Sequence, residues 1–545
     1  MLQSFKTGAP WIWLTGGAVS ISLISVLMLL LLIGWKGLTY FWPAPLYQWE
    51  TEQGQRLIGQ LYASETVSIS HLHEMGIALP DDVEQHAQRL NIKVANRERY
   101  DADFISILDL KLSSPTQPSG WLVVERTRDG QFYGKPVGFE PGDGQHRTQV
   151  DVWLPQAFAE AQQIRAQIDH LIHQSIRSFG HQLDTLRFEQ QQARRRSVNE
   201  QEKSTISHQI QQLEEKLSMA EGELDKLRQQ LDSQVLLVEE MGGAIVRIPL
   251  SQILDYWYPN DMNDWQKLYQ WGKQLWGFLS DNPRESNSEG GVFPAIFGTV
   301  LLVLLMSIIV MPLGIVAAVY LNEYAKDNAF TRLIRVAVIN LAGVPSIVYG
   351  VFGLGFFVYT IGASIDNLLY ADRLPAPTFG TPGLLWAALT LAVLTLPVVI
   401  VTTEEGLTRI PVSVRHGSLA LGATQFETIW RIVLPMASPA MITGLILAIA
   451  RAAGEVAPLM LVGAVKLASN LPVDGEFPFV HLERKFMHLG FHIYDVGFQT
   501  TNIEAARPLV YATAFLLVTV VVSLNLTAIH IRNNLREKYR TLGQD

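Results

Sequence analysis

The 545-residue sequence contains no cysteine, which excludes disulfide bridges and thiolate metal sites. The absence leaves the compartment open, because a domain outside the cytoplasm can do without cross-links. There is no basic surplus either: 42 Lys and Arg stand against 51 Asp and Glu, a formal net charge of -9. Binding a phosphate backbone needs the opposite balance, so no nucleic acid partner is expected. No Gly-x-x-x-x-Gly-Lys-Ser/Thr stretch occurs, and "GKPVG" and "GKQLWG" lack the spacing that cradles nucleotide phosphates. His-Glu-x-x-His and Gly-x-Ser-x-Gly are missing too. The chain is therefore not expected to be an enzyme on its own. His71/His73 and His488/His492 are close pairs in polar segments, where a satisfied surface histidine is a simpler reading than a metal ligand.

Charge is scarce at 17% and strongly clustered, and the clustering clears six long apolar runs. They are roughly Trp11–Leu32, Phe293–Leu321, Val336–Ile361, Gly383–Thr403, Met436–Val462 and Leu509–Ile531. Each approaches or exceeds the ~20 residues a helix needs to cross a hydrocarbon core. The first has only Lys6 before it and no small-residue cleavage site after it, so an uncleaved anchor over 1–34 is expected. Basic residues set the orientation. Lys326, Arg332 and Arg335 follow the second run, Arg409, Arg415 and Arg431 follow the fourth, and Arg532, Arg536, Lys538 and Arg540 follow the sixth. All lie on one side if both termini are cytoplasmic.

That topology puts residues 35–291 across the membrane, in the periplasm of a Gram-negative cell. Residues of about 50–154 alternate in short runs such as "FISILDLKL" between Pro-, Gly- and Ser-bearing turns, the texture of a β-rich unit. Over 155–240 the texture changes to Gln, Glu, Arg and Leu. Ile206, Ile210, Leu213, Leu217, Ala220, Leu224, Leu227 and Leu231 form a seam with alternating spacings of four and three. Ile172, Ile176, Phe179, Leu183 and Leu186 form an earlier seam, out of phase by one residue at "RRRSVNEQEKS". An antiparallel coiled-coil hairpin explains the slip, with arms of roughly 50 Å at 1.5 Å per residue; one continuous rod is the alternative. A spacer is a simpler use for it than a docking device. Over 241–291, "IVRIPL" reads as a return strand. The Trp- and Tyr-rich stretch "ILDYWYPNDMNDWQKLYQWGKQLWGFL" reads as an interfacial helix.

The remaining residues, 292–545, carry five of the runs and a polar segment at 404–436. There, Gly422 separates two short helical pieces. The second opens on Thr424-Gln425-Phe426-Glu427, a capping box, and is expected to close at Leu434-Pro435 because proline cannot donate into the preceding turn. A passive loop needs neither device. Gly422, then nine residues, then Ile432-x-Leu434-Pro435 resembles the "EAA" loop of ABC-importer permeases, with His416-Gly417-Ser418 where that family often has Glu-Ala-Ala. "GVFPAIFGTVLLVLL", "MPLGIVAAVYLNEYA", "NLAGVPSIVYGVFGLGFFV" and "ILAIARAAGEVAPLMLVGA" narrow the resemblance to the PstA family of phosphate-importer permeases.

The resemblance covers about 291 to the C-terminus and implies an α-helical polytopic membrane protein. Its expected fold is the type I ABC importer permease fold with six transmembrane helices, the β-plus-coil insert being additional. It implies an inner-membrane heterodimer with a PstC-like permease, two copies of an ABC ATPase that consume ATP, and a periplasmic binding protein delivering inorganic phosphate. It implies no cofactor bound by this chain itself. The ATPase-docking residues would be Arg415, His416, Leu421, Gly422, Ala423, Thr424, Glu427, Leu434 and Pro435. Arg451 and Glu455, four apart on one expected helix, are path candidates, because an intramembrane charge costs about 2.5–3.5 kcal/mol and needs a reason. A purely structural pair is the alternative. Asn340, Ser346 and Tyr349 are further path candidates, near a helix interrupted at Pro345. A sulfate or molybdate permease is the near rival, and a membrane-anchored coiled-coil scaffold or signalling protein the distant one.

Overall fold

Among the described residues six helices are long and apolar enough to cross a membrane. The structure is a computed structural model and describes residues 9–68, 86–100, 103–142, 147–195, 200–284, 289–371, 376–475, 477–500 and 503–541. The chain divides into two units, Met1–Phe41 with Gly272–Asp545, and Trp42–Trp271.

In the first unit, α1 (Ala9–Thr39) packs on α14 (Ile503–Thr541). Its leucines, isoleucines and valines are almost all exposed, as a lipid-facing helix requires. The helix α6 (Phe293–Val319) is prolonged to Tyr324 by a wide turn with i→i+5 bonding. Central to the unit is α9 (Leu384–Thr408), packed between α6 and α11 (Gln425–Gly454). Small residues let these helices close up: side chains at Gly314 on α6 and Gly444 on α11 would collide with Val399 and Thr402 on α9. Between helices in lipid such packing is the main attraction, since no hydrophobic gain separates them from the chains around them.

Two spans differ from the hydropathy reading. The third begins at Ser346 (α8, Ser346–Leu369), not at Val336. Residues Ala329–Leu341 form a separate helix, α7, which Asn328 caps by accepting from the Thr331 amide at 2.8 Å. Pro345 has no N–H to donate and disfavours helix at the residue before it, so the chain breaks between α7 and α8. The fifth span is α11, which starts eleven residues before Met436 and stops at Gly454. Glu455 is extended, and the short α12 (Ala457–Val462) follows. Leu434-Pro435 does not end the helix as expected. Ile429–Val433 form a wide turn, and Leu434 and Pro435 open the next α-helical stretch, where a missing N–H costs little. On the other side of α12, α13 (Leu489–Phe498) sits on α6, the Leu489 amide donating to Thr299 Oγ1 at 2.9 Å.

The second unit holds two antiparallel sheets. Strands β1 (Tyr47–Glu50), β2 (Arg56–Ser68), β3 (His86–Lys93) and β4 (Phe104–Leu108) pair in sequence order. The other sheet has the order β8-β7-β6-β5-β9, built from β5 (Leu122–Arg126), β6 (Gln131–Glu140), β7 (Val235–Glu239), β8 (Ile245–Pro249) and β9 (Ile253–Trp257). Val150, Leu154, Phe158 and Ala161 of α2 (Val150–His170) cover its Leu122, Phe132 and Leu236. Helix thus starts at Val150 instead of 155, and β7 occupies a stretch read as the end of the hairpin. "VLLVE" is a continuous apolar run of the kind a buried strand takes. The stretch read as one interfacial helix is β9 followed by α5 (Asp264–Ser280). Asn263 and Gln266 exchange side-chain-to-amide hydrogen bonds at 2.9 Å and so fix where α5 begins.

Beyond α2 a wide turn, Leu171–Ile176, leads into α3 (Arg177–Arg195), and α4 (Glu200–Ser233) packs beside it. Arg187 Nη2 meets Glu214 Oε1 at 2.9 Å, and Gln190 donates to Ser207 Oγ at 3.1 Å. Those two pairs run in opposite senses along the chain, so the helices are antiparallel and 186 faces 213. Leu186→Cys with Leu213→Cys should therefore form an intrachain disulfide on oxidation, since a bridge needs Cα atoms within about 7 Å. Non-reducing electrophoresis reads the result without interference from native thiols. A bridge forming only between chains would overturn this register.

Candidate functional site

The segment after α9 is held by a few specific bonds. Pro411 precedes α10 (Val412–Ala420), which ends at Leu421 and Gly422. Gly422 has φ +90°, a left-handed conformation that side chains resist. Among the described residues nothing lies within 4 Å of where its Cβ would be, so the turn's hand requires glycine here and close internal packing does not. Thr424 then caps α11. The Glu427 amide donates to Thr424 Oγ1 at 3.2 Å, and the Thr424 amide donates to Glu427 Oε2 at 3.0 Å. Loss of such a cap typically costs about 1 kcal/mol. Behind the turn, the Ser418 and Thr428 hydroxyls are bonded at 2.8 Å, which ties α10 to α11.

Three large apolar side chains stand out on the surface of this scaffold. Leu421 is 91% exposed, Phe426 65% and Trp430 64%, and the last two rings stack at 6.3 Å with 10° between planes. His416, Gly422, Thr424 and Glu427 are exposed beside them, and Ala423 is half-buried. Phe426 and Trp430 were missed in the sequence reading, though an aromatic pair four residues apart behind a capping box was a readable signal. Two groups of expected docking residues lie elsewhere. Leu434 and Pro435 are half-buried inside α11. Arg415 turns inward: Nη2 and Nε reach Glu323 Oε1 at 2.8 and 3.2 Å, Nη1 donates to Ile410 O at 2.7 Å, and Nη2 to Leu407 O at 2.8 Å. Glu323, on the wide turn that ends α6, was also missed.

The path candidates fall at two helix breaks that meet. A side chain at Gly350 on α8 would touch the Pro458 backbone on α12 at 2.7 Å, so the break before α8 and the break before α12 belong to one locus. Arg451 Nε and Glu455 Oε1 lie 3.6 Å apart, 32% and 19% exposed. Glu455 is past the end of α11, so the two do not share a helix face as expected. The Tyr349 hydroxyl donates to Leu341 O at 2.6 Å and so clips α8 to α7. Ser346 is half-buried at the start of α8, and Asn340 is exposed on α7.

His488 and His492 are buried, contrary to the surface reading. Burial pushes each down to about 4, so both are neutral imidazoles near neutral pH. His71 and His73 lie outside the described residues. Among the described residues no three His, Asp or Glu side chains cluster closely enough to hold a metal.

Six apolar helices among the described residues, a capped segment with exposed apolar side chains at the start of one of them, and paired charges at a helix break are the features of a polytopic membrane protein. Residues 310–537 match the family described as binding-protein-dependent transport system inner membrane component. The chain is 32% identical over 277 residues to the phosphate transport system permease protein PstA 1 of Mycobacterium tuberculosis, covering 51% of this chain and 78% of that one. It is 36% identical over 190 residues to the phosphate transport system permease protein PstA of Yersinia pestis, covering 35% and 58%. In fold it is similar to an inward-facing methionine ABC transporter, at 20% identity and a TM-score of 0.33, covering 48% of this chain and 98% of that one. The chain belongs to the PstA family of ABC importer permeases, which are non-catalytic transport components.

Proposed function

We propose that this chain forms half of the translocation pathway of a bacterial phosphate importer. The observation that carries the reading is the identity to a phosphate transport permease across most of that relative's length. In this reading a PstC-like permease completes the pathway, and two copies of an ABC ATPase bind the segment from His416 to Trp430 and hydrolyse ATP. A periplasmic binding protein delivers inorganic phosphate from the opposite side. The subunit sits in the inner membrane with both termini cytoplasmic, which the basic residues after α6, after α9 and in the last turns of α14 support. Trp42–Trp271 then lies in the periplasm, with α3 and α4 as a coiled-coil hairpin. Rocking of the permease pair about a fixed site gives the anion alternating access. Arg451 offsets the cost of bringing a multiply charged anion to the helix breaks, aided by Tyr349, Ser346 and Asn340.

Proteoliposomes holding the four-part assembly should accumulate labelled phosphate only with ATP and the binding protein present. Excess unlabelled phosphate should suppress the signal, and excess sulfate or molybdate should not. Uptake that sulfate or molybdate abolishes would move the assignment to that oxyanion. Phosphate uptake that survives removal of α3 and α4 would set aside a scaffold built around them.

A further inference from the structure

At the inner end of α6 the chain is joined to the docking segment by more bonds than a loop connection needs. Glu323 and Arg415 are 11% and 17% exposed and paired at 2.8 Å, far apart in sequence. The guanidinium uses its other donors on the carbonyls of Ile410 and Leu407, at the junction of α9 and α10. Gln425, the first residue of α11, donates to the Glu323 carbonyl at 3.3 Å, and Asn322 donates to Thr408 Oγ1 at 3.0 Å. The Glu323–Arg415 pair, with the Glu323 backbone carbonyl and Asn322 beside it, thus joins the ends of α6, α9 and α11 to α10. Wide turns flank the joint on both sides, at Tyr320–Tyr324 and Ile429–Val433. Such turns are frequent at functional sites, where a helix must change register or direction without unravelling.

We propose that the Glu323–Arg415 pair is the positioning joint through which movement of the docking segment is delivered to α6. The inference rests on the transporter reading given above. A guanidinium with several acceptors fixed around it holds one orientation, because its planar fork allows little rotation without losing a bond. The pair is also too sheltered to be dismissed as an exposed, screened contact. Push on Leu421, Phe426 and Trp430, and α10 carries Arg415 with it; Glu323 and the end of α6 must follow. Ser418 and Thr428 couple the same push to α11. Without the carboxylate the segment remains capped and still docks, but Arg415 no longer grips the end of α6, which keeps only the weaker Gln425 and Asn322 bonds.

The test uses the complete assembly in proteoliposomes, with phosphate uptake, ATP hydrolysis and the amount of assembled complex measured together. In Glu323→Gln, phosphate moved per ATP should fall about tenfold, within the range that substitutions along a coupling network produce, while complex and hydrolysis change little. Glu323→Asp, which keeps the charge on a shorter stem, should recover part of the ratio. Reversing the pair, with Glu323→Arg and Arg415→Glu, should not restore it, because a carboxylate at 415 would face the Leu407 and Ile410 carbonyls. An unchanged ratio in Glu323→Gln would overturn the proposal. So would a fall in uptake matched by an equal fall in assembled complex, which would make the pair a brace alone. Unaltered complex that hydrolyses ATP yet moves no phosphate would instead count against the transporter reading.

Discussion

Gly422→Trp should abolish phosphate uptake, with the ATPase subunits no longer retained on the purified membrane complex. Two separable effects contribute. Any ordinary side chain at φ +90° is strained, by roughly 1–2 kcal/mol for the left-handed region. Bulk adds to this mainly where a partner approaches, because no described residue lies within 4 Å of the Gly422 Cβ direction. Gly422→Ala therefore measures strain alone, and Gly422→Asn, which tolerates this region better, should cost least. The further loss from Ala to Trp reports the docked partner. A Trp variant that co-purifies with the ATPase and transports as well as the Ala variant would remove the docking role from this turn.

Arg451→Gln should likewise bring uptake to background while the complex still assembles, since the amide fills similar space without the charge. The pair with Glu455 is long at 3.6 Å and partly exposed, so its own contribution to stability is small. That favours keeping the charge for a ligand. Exchanging the two, with Arg451→Glu and Glu455→Arg, takes the cation off the end of α11 and onto the extended link before α12. A path residue should lose its place opposite the anion, whereas a packing pair should survive in part. Uptake in the exchanged variant, normalised to assembled complex, reads the difference. Normal transport there would reassign the pair to packing.

The sequence was most informative where local chemistry decides the structure. The Thr424–Glu427 box formed as written, since four consecutive residues contain every atom it needs. The first, second and fourth apolar runs emerged as single helices for a similar reason, apolar length being the whole signal. Hydropathy failed at the third and fifth because apolar residues continue across Ala342–Pro345 and across Glu455–Val456 while the backbone does not stay helical. The inward turn of Arg415 was invisible locally, because its partner Glu323 lies on another helix end. His488 and His492 sit in a stretch of modest polarity, and it is tertiary packing around α13, against α6 and α14, that buries them. "VLLVE" disappeared into the helical texture before it, although its run of unspaced apolar residues was a strand signal.

The wide turn at Ile429–Val433 also sets a phase relation along α11. A helix advances about 100° per residue, so the one residue that such a turn adds rotates everything beyond it by that amount relative to everything before. Phe426 and Trp430 lie before or within the turn, and Arg451 lies after it. Which way the guanidinium points is therefore geared to which way the aromatic pair points, through a single surplus residue. Deleting that residue would give a more regular helix and a misaligned one. A helical wheel drawn straight from Gln425 to Gly454 puts the two ends on the wrong azimuths. The irregular stretch acts as a phase shifter between the end that receives a push and the end that carries the charge.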